Sequence, residues 1–468
     1  PLNQVDGLST AFTNLTYDVG AGSEAVIEVA VNPLGGPGNL IKEGLGTLRL
    51  LGDGGAYRGA TIVDRGTLVI SSVADAVQGN TSSIGNGSSD NRLVLRGRVS
   101  VPEPGEEPEI EPVTLEFAGT SAVGTTNRLV QLGDGGAIIH VTQASELLTL
   151  NGTISDEANA GRLSKQGSGT LALAAANTYS GLTTVEQGTL LLTNSSGSAT
   201  GSGPVGVASG ATLGGSGAAA GTVTLAGGSI LAPGTSVGSL SFDDDLSLAG
   251  TYLCEIDGSN ADHLVVGGSL DLTGATLDFD ELAAPTAPVY VLATATAVTG
   301  TFTSEIDVPA GYVVTYTATS VQLVENDPYY LWVAGFFPGE TDPAIIGPDA
   351  DPGQNGMNNA LSYVTSTSPL STQPIQPIEL LADPTGFSFK ENEVRIGDDP
   401  FGGYMEYSVD LENWTRVPIT SPNGEIEPGV IVTKVEGIFP DPDLALFVLS
   451  VDRASFPRVF ARMGVTTP

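Results

Sequence analysis

A short block recurs along the chain, and its recurrence fixes what the first two-thirds can fold into. Lys42-Glu43-Gly44-Leu45-Gly46-Thr47-Leu48-Arg49-Leu50 realigns with Lys165-Gln166-Gly167-Ser168-Gly169-Thr170-Leu171-Ala172-Leu173. Behind each copy, Tyr57-Arg58-Gly59 matches Tyr179-Ser180-Gly181, and Arg65-Gly66-Thr67-Leu68 matches Gln187-Gly188-Thr189-Leu190. A second echo, Leu51-Gly52-Asp53-Gly54-Gly55-Ala56, returns verbatim at Leu132-Gly133-Asp134-Gly135-Gly136-Ala137. Such self-similarity marks repeat architectures. Between the marks lie short runs of period two, such as Thr67-Leu68-Val69-Ile70 and Thr189-Leu190-Leu191-Leu192, bounded by turn residues. Helical periodicity is nearly absent before residue 325. Strands recurring at this spacing suit a sandwich or a solenoid. A Gly placed just before each strand favours the solenoid, because every coil then turns its corner at the same place and Gly tolerates positive φ there.

Composition agrees. With 468 residues the chain is too long for one compact core. Charged residues make up only 15%, Gly numbers 62, and the hydrophobic fraction of 40% is enough for a core. Leu, Val and Ile would point inward as stacked ladders, with Thr and Ser outward. Coils of roughly 20–25 residues would give some 12–15 turns and a rod about 60–70 Å long. Glu103-Pro104-Gly105-Glu106-Glu107-Pro108-Glu109-Ile110-Glu111-Pro112 reads as an acidic loop projecting from one coil. Lys+Arg number 17 against 53 Asp+Glu, a net charge of −36, which disfavours nucleic acid and anionic membranes as partners.

The segment Lys165–Leu192 resembles the autotransporter-associated β-strand repeat, the passenger-associated repeat. The resemblance continues through Gly210–Gly215 and Leu231–Gly238, with a weaker copy at 42–70. It implies a right-handed parallel β-helix displayed outside bacterial cells, without catalysis. No barrel-length run of aromatic-rich strands precedes Val465-Thr466-Thr467-Pro468, so release or another export route is expected. A chain starting at Pro1 reads as a mature terminus after removal of a signal peptide.

After residue 325 the pattern changes. Asp349-Ala350-Asp351-Pro352-Gly353-Gln354-Asn355-Gly356-Met357-Asn358-Asn359-Ala360-Leu361 resembles the calcium-loop-and-helix segment of secreted bacterial surface proteins, and Met405–Trp414 resembles the strand pair of their terminal β-domain. The resemblance implies calcium on Asp349, Asp351 and Asn355. Gly353 replaces one ligand and Ser362 stands where a glutamate closes the site, so a metal-free hydrogen-bonded turn is the other reading. The expected fold is all-β, in four parts. Residues 1–20 form an N-terminal segment able to add to a neighbouring chain. Residues 21–325 form the solenoid, with its insertion near 102–112. Residues 326–379 form an aromatic linker with the calcium-type loop and a short helix, and 380–468 form a small antiparallel β-sandwich.

Other candidates have plain structural readings. Asp53, Asp134 and Asp243-Asp244-Asp245 suit turns. Gly234-Thr235-Ser236-Val237-Gly238 satisfies G-x-S-x-G but lies inside the repeat pattern, with His140 and His263 as the only histidines. Cys254, the one cysteine, sits in an alternating strand and suits the core. Trp332 and Trp414 suit packing or sugar stacking. The expected function is a non-enzymatic, secreted, cell-surface structural subunit. It would associate with itself through the solenoid ends, the N-terminal segment and the C-terminal domain. The alternative is an adhesin or glycan-binding passenger.

Overall fold

The computed structural model describes residues 14–28, 35–99, 109–119, 122–372, 378–382, 386–391, 394–395, 402–408, 411–436, 444–452 and 460–466. The chain divides into two compact units. One holds residues 1–286, 292–309 and 318–320; the other holds 287–291, 310–317 and 321–468.

The first unit is a parallel β-solenoid. Its longest face stacks twelve strands, from Glu24–Glu28 to Ala297–Thr299. At the interstrand spacing of about 4.8 Å those strands make a ladder of about 50 Å, somewhat shorter than the sequence estimate. A second face carries six parallel strands from Asn14–Asp18 to Ile154–Asp156, and a third runs from Val123–Thr126 to Ser304–Ile306. From Ala218–Ala219 onward, the parallel strands Ser239–Phe242, His263–Val266 and Val289–Thr294 form a further face. The parallel rungs end at Ser304–Ile306, and the following pair, Tyr312–Tyr316 with Ser320–Glu325, is antiparallel.

The repeat spells its own register. Thr170, Thr189, Thr212 and Ile230 stack rung on rung, carrying Leu171, Leu190, Leu213 and Leu231 inward, each fully buried. Each such leucine contributes about 1.5–3 kcal/mol by leaving water. The corner glycines do what their position asks. Gly188 has φ +69°, and a Cβ there would lie 2.4 Å from the Gly167 carbonyl oxygen of the preceding coil. No other residue fits such a close approach of coil to coil.

Two buried lysines mark the repeat copies. Lys165 sits in an inward ladder between Ile139 and Val185, with no exposed surface. Its Nζ donates to the carbonyls of Gln166 at 2.9 Å, Gly167 at 2.8 Å and Gln187 at 3.0 Å. Lys42 does the same toward Glu43, Gly44 and Arg65, at 2.7, 2.7 and 3.1 Å. Each ammonium spends its three donors on corner carbonyls and ties one coil to the next. Burial pulls both lysines down to about 8. Tyr57 and Tyr179, both fully buried, share a hydrogen bond of 2.6 Å with Thr61 and Thr183 respectively. The two copies occupy different faces, however. The Lys42 strand belongs to the six-stranded face and the Lys165 strand to the twelve-stranded one, so the motif is rotated by one face between them.

The acidic insertion leaves the solenoid through an antiparallel stem, Arg98 paired with Glu111 and Val99 with Ile110; residues 100–108 lie outside the described residues. The expectation for residues 1–20 needs correction in part. Asn14–Asp18 already pairs in parallel with Asn39–Glu43 of its own chain, as a rung of its own solenoid.

In the second unit, three short helices, Pro328–Phe336 (α1), Pro343–Ile346 (α2) and Asn359–Val364 (α3), precede two antiparallel sheets. Asp327, Asp342 and Asn358 cap their N-termini through side-chain oxygens. Tyr329, Val333, Tyr363, Met405 and Val417 share one core. The expected architecture, a parallel β-solenoid followed by short helices and small antiparallel sheets, is the one observed. Among the described residues no helix is long and apolar enough to cross a membrane, which says nothing of β-barrels.

Candidate functional site

The calcium-type loop is held by its own backbone. The Asp351 carboxylate accepts from the Asn355 and Gly356 N–H groups at 3.2 and 2.9 Å. The Asn355 side-chain oxygen accepts from Met357 N at 2.9 Å, and its amide donates to the Ser371 carbonyl at 2.8 Å. Asp349 is exposed. Gly353 packs so that a Cβ would lie 2.1 Å from the Ser371 oxygen, leaving no ligand side chain at that position. Two carboxylates and an amide oxygen, two of the three already accepting N–H groups, fall short of the six to eight oxygens calcium takes. On the metal-free reading, excess EDTA leaves the melting temperature within about 1 °C of its value in millimolar calcium, because a ligand that does not bind cannot stabilise. A calcium-dependent rise of several degrees in a thermal scan would show that the loop is a metal site.

The remaining sequence candidates have structural duties. Asp245 accepts from Ser269 N and Oγ at 2.7 and 2.8 Å, and these bonds hold its carboxyl below the usual range. Asp134 accepts from Asn159 Nδ2 at 2.7 Å in an exposed turn, and Asp53 is exposed as well. Gly234–Gly238 joins the strands Ile230–Pro233 and Ser239–Phe242, so Ser236 sits in a strand–turn–strand and lacks the helix of a nucleophile elbow. Cys254 is fully buried and burial pushes its thiol up, which makes it inert. Trp332 is half-buried in the core of the second unit, 5.1 Å from Phe336 and 5.3 Å from Tyr363 between ring centroids. Trp414, also half-buried, has the Arg462 guanidinium 4.1 Å above its ring. One of its faces is thereby occupied.

The cations are unevenly placed along the chain. Residues 166–389 contain no Lys or Arg at all. Of the eight solenoid arginines, three gather around the insertion stem and pair there. Arg65 meets Glu111 at 2.7 Å, Arg98 meets Asp64 at 2.5 Å, and Arg96 meets Glu157 at 2.9 Å. At the foot of that stem lies a cavity of about 240 Å³. Its wall is Ile110 and Pro112, its end the Gly135-Gly136 turn, and its floor the outer side of the twelve-stranded face. On that floor Ile138, Ser164 and Thr184 stack in register. Exposed Arg162 and Leu182 border them, and Glu186 accepts from Ser164 Oγ at 2.7 Å and Gln166 Nε2 at 2.8 Å. Sequence reasoning missed this group. The available signal was the alignment of copies, in which Gly38-Asn39-Leu40-Ile41-Lys42 answers Gly161-Arg162-Leu163-Ser164-Lys165 and Arg162 replaces an asparagine.

Comparison with known proteins bears on the same coils. A family model described as Passenger-associated-transport-repeat matches residues 40–70 and 163–192. A relative, the Adhesin BmaC autotransporter of Brucella suis biovar 1 (strain 1330), is 36% identical over 145 residues. The match covers 31% of this chain and 4% of the relative's own length. The two family matches enclose Lys42 and Lys165 with their corner glycines and inward leucines, so two stretches of this β-solenoid are similar to passenger-associated transport repeats.

Proposed function

We propose that this chain is an adhesin-type passenger segment displayed outside bacterial cells, acting by binding and not by catalysis. The observation that carries the reading is the repeat match laid on a continuous parallel ladder, together with the similarity of 145 residues of the chain to a protein described as an adhesin. A solenoid of this kind is a stiff spacer, because each coil is hydrogen-bonded to its neighbours along the axis. Asp262, a buried carboxylate of the solenoid, is held by the backbone, accepting from Gly238 N and Glu255 N at 2.7 and 3.0 Å. The test is adhesion of beads coated with the purified chain to cell monolayers and to a glycan array. Saturable binding above albumin-coated beads is the expected result; its absence on every surface would overturn the reading.

A second reading, self-assembly into fibres, draws on one observation. Ser304–Ile306 stands last in its sheet order among the described residues, with Ile306 41% exposed. The terminal strand of a sheet is where another chain can add. Negative-stain images of concentrated protein would show long regular fibres under this reading and isolated rods otherwise.

A further inference from the structure

We propose that the cavity at the foot of the insertion stem binds a carboxylate-bearing sugar, with Arg162 as the carboxylate anchor. The proposal rests on the adhesin reading and gives it a ligand class. Consider first the cations. Arg49, Arg65, Arg92, Arg96 and Arg98 are paired with carboxylates, and Lys42, Lys165 and Arg128 are buried. Arg58 and Arg162 are exposed without a carboxylate partner among the described residues, and of the two only Arg162 lines the cavity. The one carboxylate on the floor, Glu186, is turned to Ser164 and Gln166. The guanidinium is therefore open to a ligand, and its planar fork matches a carboxylate with two parallel N–H···O bonds.

The rest of the floor fits a sugar ring better than a flat hydrocarbon. Leu182, 38% exposed, and Ile138 offer apolar surface for the C–H face of a pyranose. Ser164 and Thr184, in register beside them, donate their hydroxyls to Glu186 and keep lone pairs to accept a sugar O–H, as does Glu186. Such a mixture, an apolar bed with few placed polar groups, is how small-ligand sites achieve orientation. The volume of about 240 Å³ suits about one ring. The net charge of −36 does not forbid an anion here, since charges beyond about 8 Å are largely screened at physiological salt.

The experiment is a titration of the full chain with tri-galacturonate, its methyl ester as the uncharged control, followed by chemical-shift perturbation or calorimetry. Saturable binding of the acid is expected, weakened about tenfold by esterification and about tenfold by Arg162→Gln. Arg58→Gln should leave it unchanged. Both arginines are exposed, so circular dichroism of the variants should match the parent. Absence of binding, equal binding of the ester, or full binding by Arg162→Gln would overturn the assignment. The bead assay separates the two ideas: adhesion that survives Arg162→Gln leaves the adhesin reading standing and removes this groove from it.

Discussion

Lys165→Met should lower the unfolding free energy by about 3–5 kcal/mol, read from urea denaturation followed by circular dichroism. Methionine can fill the space between Ile139 and Val185, so little packing is lost. What disappears is the ammonium that serves the Gln166, Gly167 and Gln187 carbonyls. Leaving a buried polar group without its partner costs about 1–3 kcal/mol each, partly offset by no longer burying a charge. A loss under about 1 kcal/mol would mean the three bonds are redundant. The pH dependence gives a second check. The lysine titrates near 8 in the folded chain and at its ordinary 10.5 when unfolded. Between those values the unfolded chain binds more protons, so this residue's share of stability rises with pH from about 8 to 10.5. The methionine variant should lack that rise.

Gly201→Val should act as strongly, by steric means. Gly201 has φ +64°, and a Cβ there would lie 1.9 Å from the Tyr179 carbonyl oxygen of the preceding coil. A β-branched residue in that backbone region is strained by about 1–3 kcal/mol before any clash is counted. Relieving the clash means prising apart two coils. A loss of about 4 kcal/mol or more is expected. Because each coil contacts only its neighbours, hydrogen exchange should show lost protection concentrated near Tyr179 and Thr183 and native protection around Leu48 and Leu68. Uniform loss along the solenoid would argue for one cooperative block instead.

Much of the fold was legible because the repeat states its geometry in residue types. Gly44, Gly66, Gly167 and Gly188 all adopt positive φ at the corners, and the leucine after each G-T step points inward. Lysines within an apolar ladder read in sequence as surface residues, since nothing local says that three carbonyls converge on the site. The rotation of the motif by one face was hidden for a related reason. Register counts residues, but which face a strand joins depends on how many the intervening segment traverses. Arg162 escaped notice because its openness is a property of its neighbours: only the structure shows Glu186 engaged with Ser164 and Gln166. At the calcium-type loop the sequence left two alternatives. Backbone N–H groups converging on Asp351 favour the turn, and their positions follow from φ values such as +51° at Gln354 that no spacing rule supplies.

The absence of Lys and Arg between residues 166 and 389 has a consequence apart from charge. Enzymes of trypsin specificity cut only after those two residues, so the stretch offers them no bond to cleave, whether coiled or unravelled. Complete trypsin digestion of the denatured chain would still release Gln166–Lys390 in one piece. Elsewhere durability depends on the coils staying shut; here it is written into the covalent chain. The same stretch has no primary side-chain amine, so amine-directed acylation or crosslinking of the unfolded chain would mark the segments before and after it and leave the middle of the solenoid untouched.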